Sequence, residues 1–321
     1  MQSIRITATG GPEVMQLVDH DPGPPGPVQL LIRQTVIGIN FIDIYHRSGL
    51  YPLPLPSGLG LEAAGVVEAA GEGAGITPGT RVAYCWGPIG AYATHRLIDA
   101  ARVVPIPDGL SDETAAAGLL KGCTTEFLVE RCARIQPGQW ALVPAAAGGV
   151  GLLLVQWLKA AGAHVIAVAG TPEKLALAAS HGADHGLLQD DQVATQVRAI
   201  TGGVGVDVVF DGVGAATWAS SLASLKRRGL LISFGNASGP VTGVNLGVLS
   251  AHGSLFVTRP TLFDYYPDAD SIQQYGRRVL AMMASGALTV PVHQRWPLAE
   301  AAAAHRALES RATTGASVLV V

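Results

Sequence analysis

The feature that most constrains the fold is a regular alternation of apolar strands and helices in the middle of the chain. The sequence predicts strands at 140–143, 164–169, 206–210, 229–234 and 254–258, separated by helices at 152–161, 172–181, 218–225 and 246–251. Nearly continuous apolar strands joined by helices are typical of a parallel sheet that is covered on both faces. The order is that of a doubly wound Rossmann domain, a fold with six strands, and hence predicts an α/β fold.

One uncharged stretch, 135–158, is long enough to span a bilayer. It contains Pro137, Gly138, Pro144 and a run of glycines, which divide it into a strand, a turn and the start of a helix. We therefore expect a buried βα unit here and no membrane segment.

The residues before about 120 follow a different pattern. Polar and apolar residues alternate at 3–8 and 28–33, and clusters of proline and glycine at 21–27 and 77–80 mark turns. This pattern predicts a β-rich domain built as a meander or a small barrel. A helix near 271–285 and a last strand at 317–321 cannot simply extend the parallel sheet, so we expect them to fold back onto the first domain.

Composition excludes several classes of protein. Of the 321 residues, 49% are hydrophobic and 14% are charged, which supplies enough apolar surface for two cores and rules out a disordered chain. The net charge of −3 gives no general attraction to nucleic acid. The three cysteines have no paired spacing and the N-terminus lacks the apolar core of a signal peptide, so we expect a reducing, cytoplasmic location.

A glycine-rich turn at 145–151 joins the first strand of the alternation to the next helix. Read against the dinucleotide-binding pattern G-x-G-x-x-G, it supplies Ala146, Gly148 and Gly151, with alanine in place of the first glycine. Such a turn can also serve helix packing alone. Its position favours the binding of a pyrophosphate by backbone N–H groups at the N-terminus of the helix.

The end of the second strand distinguishes the two nicotinamide cofactors. An NAD site usually has Asp or Glu about 20 residues beyond the turn, to bind the ribose 2′-hydroxyl. Here the strand ends with Ala169, Gly170 and Thr171, without an acid, and Lys174 follows. A lysine ammonium attracts a 2′-phosphate, so the sequence favours NADPH. The alternative is an ordinary solvated lysine, although the chain has only four lysines.

Seven segments together resemble a known family: VIGINFID at 36–43, SGLYP at 48–52, LGLEAAG at 59–65, AAAGGVG at 145–151, SFGN at 233–236, VTRP at 257–260 and LESRAT at 308–313. Their order and spacing resemble the medium-chain dehydrogenase/reductase superfamily, and within it the zeta-crystallin-like NADPH:quinone oxidoreductases. The resemblance implies a GroES-like catalytic domain at 1–121 and 262–321, a Rossmann NADP(H)-binding domain at 122–261, and a cleft between them.

The same resemblance implies an enzyme without zinc. Zinc-dependent members of the superfamily hold the catalytic metal with a Cys, a His and a second Cys. Here the first position is Asn40 and the second is Leu61, while Cys123 lies near the third but out of register. One thiolate cannot form a zinc site, so we expect no metal. Quinones and activated enones are then better acceptors than ordinary ketones, because they delocalise the incoming charge.

The resemblance places the catalytic side chains at Asn40, Tyr45 and Tyr51, where an amide and two phenols can donate hydrogen bonds beside a stacking surface. The alternative interpretation is structural, with an asparagine in a turn and two tyrosines at a domain interface. The implied cofactor-binding residues form three groups: at the nicotinamide, Phe41, Ile42, Asp43, Lys121, Thr124 and Phe127; at the phosphates, Gly148, Gly149, Val150 and Gly151; at the adenosine and along the strand ends, Gly170, Thr171, Lys174, Val213, Phe234, Gly235, Asn236, Ala237 and Arg311. Some close relatives have an aromatic residue where this chain has Gln189, which reduces the expected preference for NADPH.

Together these inferences predict the transfer of a hydride from NADPH to a quinone in the interdomain cleft. One alternative is an NADPH-dependent reductase of alkenal or enone double bonds, which needs the same cofactor site. A non-catalytic crystallin-like or RNA-binding protein is a third interpretation, disfavoured by the glycine-rich turn and the net charge. The apolar strand from Ser254 to Thr258 ends the predicted sheet, and its pairing with a copy of itself across a two-fold axis predicts a homodimer.

Overall fold

The computed structural model describes all 321 residues. They divide into two compact units, one formed by Met1–Cys123 together with Tyr266–Val321 and the other by Thr124–Tyr265. The second unit is therefore one continuous segment inserted between the two parts of the first. None of the helices combines the length and the apolar character needed to cross a membrane.

The elements follow one another in three stretches of the chain. The first stretch contains β1 (Gln2–Ile6), β2 (Gln16–Asp19), β3 (Gln29–Ile39), α1 (Phe41–Ser48), β4 (Ser57–Gly58), β5 (Glu62–Ala70), β6 (Arg81–Tyr84), β7 (His95–Asp99), β8 (Val104–Pro105) and α2 (Asp112–Glu126). After a π-helical segment, Phe127–Ala133, the second stretch contains β9 (Trp140–Pro144), α3 (Gly149–Ala160), β10 (His164–Ala169), α4 (Pro172–Ser180), β11 (His185–Leu188), α5 (Val193–Ile200), β12 (Val206–Asp211), α6 (Trp218–Ser224), β13 (Leu225–Ser233), α7 (Gly247–Ala251), β14 (Phe256–Thr258) and α8 (Leu262–Tyr265). The third contains α9 (Ala269–Ala284), β15 (Val292–Pro297), α10 (Ala301–Glu309) and β16 (Ala316–Val320).

The first unit is built mostly from antiparallel strands. Its larger sheet has the order β15-β16-β3-β5-β6-β8, and β7 also pairs with β3. The long strand β3 is central because it pairs with β5, β7 and β16, the last in a register that sets Ser317 opposite Ile39. Ile4 of β1, which belongs to the smaller sheet β2-β1-β4, shares one buried core with Ile32 of β3 and Leu319 of β16. The end of the chain thus completes the sheet of the first unit.

The second unit is a six-stranded parallel sheet with the order β11-β10-β9-β12-β13-β14. Counted along the chain this is the strand order of the Rossmann fold, so the predicted doubly wound sheet is confirmed. Aliphatic side chains such as Leu142, Ile166 and Val209 form its core. The order reverses between β9 and β12, and sheets of this kind bind ligands outside the carboxyl ends of the strands at that point.

Five of the six strands of this sheet lie at the predicted places, but β11 is not predicted. It is a short edge strand in which only Leu187 is buried, and it therefore lacks a continuous apolar run. The helix α3 begins at Gly149, before the predicted start at Leu152, because Gly148 is its N-cap and the glycines form its first turn. The turn, and not helix propensity, sets this boundary.

Candidate functional site

The predicted phosphate-binding turn joins β9 to α3. Because Gly148 is the N-cap, the N–H groups of Gly149, Val150 and Gly151 belong to the first helical turn and have no partner within the helix. A Cβ at Gly151 would lie 2.8 Å from the Cα of Ala146. Glycine is therefore required at 151 for helix packing, while the turn presents N–H donors and the positive end of a helix to an anion.

The end of β10 contains the residues expected at the adenosine. Thr171 is the N-cap of α4, and its hydroxyl accepts a hydrogen bond from the backbone N–H of Lys174 at 3.3 Å. Lys174 is half-buried, whereas Gly170 is exposed and a Cβ there would meet no atom within 4 Å. Glu173 is the one acid of this turn, and a hydrogen bond from Thr171 lowers the pKa of its carboxyl. The last residues of β10 carry no carboxylate, and the one acid nearby is Glu173 in the first turn of α4.

A buried carboxylate shapes the loop after β12. Asp211 accepts hydrogen bonds from the backbone N–H groups of Val213 and Gly214 and from the hydroxyls of Thr217 and Ser221, at 2.7–3.0 Å. All of these donors belong to the loop and to the helix that follows it. Asp211 therefore fixes the path of the chain where it leaves the sheet.

The loops after β12 and β13 touch each other. The ring of Phe234 lies over Gly212, and a Cβ at Gly235 would lie 2.9 Å from the Cα of Gly212. Arg259, just beyond β14, donates to the carbonyl oxygen of Gly235 and to the amide oxygen of Asn236, both at 2.9 Å. The side chain of Asn236 is therefore held in one orientation at the end of the sheet.

The predicted residues of the second unit mostly lie along one edge of the sheet. They follow the carboxyl ends of neighbouring parallel strands: Gly148, Gly149, Val150 and Gly151 after β9; Gly170, Thr171 and Lys174 after β10; Val213 after β12; and Phe234, Gly235, Asn236 and Ala237 after β13. Gln189 follows β11 at the same edge, where its N–H donates to the carbonyl oxygen of Ala169 at 2.9 Å. Dinucleotides bind to Rossmann domains at this edge.

Three of the predicted residues lie neither at this sheet edge nor beside α1. Thr124 is on α2, and Phe127 begins the π-helical segment. Phe127 is buried, and its ring stacks on that of Tyr265 at 4.5 Å between centroids. Arg311 belongs to the first unit, where it follows α10 with a left-handed φ of 60°.

The first unit holds the predicted catalytic residues and several nicotinamide residues at α1: Asn40, Phe41, Ile42, Asp43 and Tyr45, with Tyr51 shortly after. Asn40 is the N-cap, and its backbone N–H donates to the carboxylate of Asp43 at 2.9 Å. The ring of Tyr45 meets that of Tyr51 edge-on at 5.2 Å between centroids. A polar cap and an aromatic pair thus lie on the same short helix and the turn that follows it.

A buried polar cluster lies beside this cap. The Asn40 amide donates through Nδ2 to Oε2 of Glu62 at 2.9 Å, and its Oδ1 accepts from Nζ of Lys121 at 2.8 Å. The Glu62 carboxylate also accepts from the backbone N–H of Leu120 at 2.6 Å, and it lies 3.4 Å from Nζ of Lys121. Glu62 is not among the predicted site residues. Its signal in the sequence is a lone charge in the apolar segment LGLEAAG, which is typical of a buried and paired side chain.

A second hydrogen-bonded chain runs from α1 to α10. Tyr92 Oη donates to the Asp43 carboxylate at 3.0 Å and lies 2.9 Å from Nε2 of His305. The other ring nitrogen of His305 lies 3.2 Å from the guanidinium of Arg47, which can only donate. Nδ1 therefore accepts, and Nε2 has the proton and donates to Tyr92. Arg47 also pairs with Glu309 at 2.6 Å.

Burial shifts the pKa values of several groups in this region, and it raises that of the Tyr92 phenol well above its ordinary value. It raises the pKa of Asp43 from 3.8 to about 7, although hydrogen bonds from Asn40 and Tyr92 act in the opposite direction. It lowers the pKa of His305 to about 3 and that of His46 to about 4, so both imidazoles are neutral at neutral pH. One oxygen of Asp43, Oδ1, is buried without a hydrogen-bond partner.

No group of three or more His, Cys, Asp or Glu side chains lies close enough to hold a metal ion. Asn40 and Leu61, at two of the expected ligand positions, are both buried. Cys85 and Cys123 are neighbouring free thiols, and burial together with the adjacent thiol raises the pKa of Cys85 well above its ordinary value. A thiol that resists deprotonation is a poor metal ligand and a poor nucleophile.

Comparison with known proteins covers the whole chain. Residues 26–108 match the alcohol dehydrogenase GroES-like domain, and residues 149–265 match the zinc-binding dehydrogenase family. The chain is 48% identical to a quinone oxidoreductase of Pseudomonas aeruginosa over 320 residues, which cover 99% of this chain and 98% of that relative. It is 40% identical to a 2-haloacrylate reductase of a Burkholderia species over 325 residues, 98% of this chain and 97% of that one. The crystal structure of Escherichia coli quinone oxidoreductase complexed with NADPH has a TM-score of 0.97 at 45% identity, with full coverage of both chains, so the expected GroES-like and Rossmann fold is confirmed.

Proposed function

Since this chain belongs to the quinone oxidoreductase family of the medium-chain dehydrogenase/reductase superfamily, we propose that it reduces quinones with NADPH as the hydride donor. The observation that carries the proposal is the similarity to quinone oxidoreductases over nearly the whole length of both chains. That length includes both the sheet edge of the second unit and the α1 region of the first.

The residues at the sheet edge fit NADPH. The N–H groups of Gly149, Val150 and Gly151 would bind the pyrophosphate, and the absence of a Cβ at Gly148 lets it approach the backbone. Lys174 would bind the 2′-phosphate, since an ammonium attracts that group. β10 itself ends without an acid, and the one carboxylate nearby is that of Glu173 in the first turn of α4. When bound, NADPH supplies the hydride.

The residues at α1 would bind and orient the acceptor. The amide of Asn40 and the phenols of Tyr45 and Tyr51 provide N–H and O–H donors for a quinone oxygen, and the two rings provide a stacking surface. Reduction places negative charge on that oxygen, where fixed donors stabilise it. No cluster of side chains fits a catalytic metal, so these donors would stabilise the negative charge on the oxygen.

The test is a comparison of acceptors with purified protein. NADPH oxidation is followed by stopped-flow absorbance with 1,4-benzoquinone, a 1,2-naphthoquinone, a 2-alkenal and 2-chloroacrylate at matched concentrations. We expect the highest kcat/KM with a quinone. Protein that binds NADPH but oxidises it with none of the quinones would overturn the proposal.

The similarity to a 2-haloacrylate reductase favours a second candidate, reduction of an activated carbon–carbon double bond. Such a reaction would use the same cofactor residues, and the donors at α1 would bind the carbonyl or carboxylate oxygen conjugated with the double bond. A kcat/KM for the 2-alkenal or the haloacrylate above that for every quinone would favour this candidate.

We also propose that two copies of the chain pair through β14. This strand is at the end of the sheet and pairs only with β13. Phe256 is 56% exposed and Val257 is 37% exposed, and apolar edges of this kind are usually covered. Light scattering at micromolar protein should give a dimer mass for the wild type and a monomer mass for the double variant Phe256→Lys, Val257→Lys. A monomeric wild type would contradict the proposal.

We also propose that the protein is located in the cytoplasm. The chain has three cysteines, an odd number without paired spacing, and two of them, Cys85 and Cys123, have buried thiols. Reducing compartments preserve such thiols. Fluorescence of a C-terminal fusion in the native host should be uniform in the cytoplasm, and a signal confined to another compartment would exclude this location.

A further inference from the structure

Two charged side chains hold the amide that is the candidate donor at the cap of α1. We propose that Glu62 and Lys121 are positioning residues for Asn40, which fix the rotation of its amide so that Nδ2 keeps one N–H for a carbonyl oxygen of the bound acceptor or cofactor. The inference rests on the proposed function only for the identity of that oxygen. The orientation itself follows from the contacts that the amide makes with the two charged groups.

The chemistry of the two partners allows only one orientation of the amide. An ammonium group can only donate and an ionised carboxylate can only accept. Oδ1 of Asn40 therefore faces Nζ of Lys121 at 2.8 Å, and Nδ2 faces Oε2 of Glu62 at 2.9 Å. A rotation by half a turn would set an N–H against the ammonium and an oxygen against the carboxylate, and so replace two attractions with two repulsions.

Burial makes this selection strict. Asn40 is 6% exposed, Lys121 is 5% exposed and Glu62 is inaccessible to solvent. Water cannot substitute for a partner at such depth, and charges interact more strongly in a medium of low dielectric constant. The amide is thus held by charge-assisted hydrogen bonds on both of its ends.

The position of the Glu62 carboxylate is itself fixed by the backbone. Gly38 on β3 lies opposite Glu62 on β5, and a Cβ at Gly38 would lie 2.8 Å from the carboxyl carbon of Glu62. On the far side, the backbone N–H of Leu120 donates to Oε1 at 2.6 Å. The space left by a glycine and a backbone donor on α2 together place the carboxylate, independently of Asn40.

The backbone of Asn40 is held as well, since its N–H donates to the carboxylate of Asp43. Nδ2 has two N–H bonds, and its hydrogen bond to Glu62 uses one of them. The second N–H is therefore directed by groups that are already in place before any ligand binds. Donors that are oriented in advance give the largest stabilisation of developing charge, because no reorganisation is needed during the reaction.

The orientation can be observed directly, because the chain has only three asparagines: Asn40, Asn236 and Asn245. Full-length protein labelled with 15N-asparagine gives three pairs of side-chain amide resonances, and the Asn40→Ser variant identifies the pair of Asn40. In the wild type we expect one N–H of that pair to be protected from solvent exchange by Glu62. If both protons of the pair exchange with solvent equally fast, the proposal is overturned, and no variant of Glu62 or Lys121 is needed to show it.

Variants of Glu62 and Lys121 test whether these two side chains fix the orientation of the Asn40 amide. In Glu62→Gln, the new amide keeps its oxygen on the Leu120 N–H and turns its NH2 toward Asn40; in Lys121→Met, the donor to Oδ1 is lost. Both should shift the Asn40 pair and remove the protection, whereas Lys121→Arg should retain it. The matched control is Lys159→Met, because Lys159 pairs with Asp184 at the surface of the other unit. An Asn40 pair that is unchanged in both Glu62→Gln and Lys121→Met would overturn the proposal.

Turnover provides a separate measurement. With a quinone that the wild type reduces, we expect kcat to fall on the order of a hundredfold in Glu62→Gln and Lys121→Met, as for loss of an oriented donor. The KM for NADPH should change less, and Lys121→Arg should restore most of kcat. A fall in kcat with unchanged Asn40 resonances would contradict positioning. A wild type without quinone activity would end the proposed function but leave the resonance experiment decisive for the orientation.

Discussion

The phenol of Tyr92 donates a hydrogen bond to the carboxylate of Asp43 at 3.0 Å, deep inside the first unit. Tyr92 in turn accepts from His305, so that a continuous chain of buried polar groups connects α1 with α10. Each member depends on the next, because no water can replace a missing partner at that depth. Asn40, the cap of α1, donates to the same carboxylate, so this chain also supports the helix that carries the candidate donor.

Removal of the Tyr92 hydroxyl should destabilise the protein. Tyr92→Phe leaves Asp43 and His305 without the group between them, so we expect a loss of about 1–3 kcal/mol in the free energy of unfolding. Urea unfolding followed by far-UV circular dichroism measures it. The control is Ser180→Ala, which removes an exposed hydroxyl at the end of α4 and should change the free energy by less than about 0.5 kcal/mol. Equal stability of Tyr92→Phe and wild type would show that these buried hydrogen bonds contribute nothing to the free energy of unfolding.

The raised pKa of Asp43 predicts a specific dependence of stability on pH. The folded protein holds a proton on Asp43 up to about pH 7, whereas the unfolded chain releases it near the ordinary pKa of 3.8. The stabilisation is therefore complete below about pH 4 and is lost as the pH rises to about 7. The free energy of unfolding of the wild type, minus that of Asp43→Asn, should fall by a few kcal/mol across this range, on the order that such a pKa difference implies.

The difference between the two proteins is needed because nearby histidines act in the opposite direction. Burial lowers the pKa of His46 to about 4 and that of His305 to about 3. Their contribution to stability is therefore present above the ordinary histidine pKa of 6.5 and is lost as the pH falls through these two values. They affect the wild type and Asp43→Asn alike and cancel in the difference. Urea unfolding at several pH values measures it, and a difference that stays constant would contradict the raised pKa.

The site of the second unit was more predictable from sequence than that of the first, for a physical reason. A glycine-rich turn and the end of a parallel strand are local features, since the chain itself brings Gly148 to the edge of the sheet directly after β9. The apolar runs that form the strands are also local. Two neighbouring elements of this unit were missed: the short edge strand β11, which lacks such a run, and the helix α5 that follows it.

The polar networks of the first unit are not local. Tyr92 and His305 are 213 residues apart, and Lys121 is 81 residues from Asn40. Neither contact can be predicted from the periodicity of the sequence, because both depend on how β3, α2 and α10 pack. A resemblance to a family can place Asn40 and Lys121 in one site, but only the three-dimensional structure identifies the hydrogen bonds between them and Glu62.

Gly151, in the first turn of α3, should be required for tight binding of the cofactor. In Gly151→Ala the new methyl group would overlap the turn that precedes the helix, and the helix would move away from β9. We expect the dissociation constant for NADPH, measured by quenching of protein fluorescence, to rise at least about tenfold. The control is Gly186→Ala on β11, where a Cβ would meet Leu175 at an ordinary 3.4 Å. Unchanged affinity in Gly151→Ala would exclude this turn as the pyrophosphate site.

Chelation should leave the activity unchanged. No cluster of potential ligands fits a metal ion, and the buried amide of Asn40 is held by an ammonium and a carboxylate. After dialysis against EDTA and 1,10-phenanthroline, NADPH oxidation with a quinone should proceed at the original rate. Loss of turnover that zinc restores would contradict this expectation.

The choice between NADPH and NADH should depend on the charge of Lys174. Its ammonium would bind the 2′-phosphate, which only NADPH has, so Lys174→Ala should raise the KM for NADPH by about tenfold or more and leave that for NADH nearly constant. The matched control, Lys159→Ala, removes a lysine that pairs with Asp184 and should change neither KM. Because the interaction is electrostatic, added salt should weaken NADPH binding in the wild type more than in Lys174→Ala. Steady-state kinetics with both cofactors at two ionic strengths measures these effects, and an equal rise in both KM values would assign Lys174 to a structural role at the start of α4.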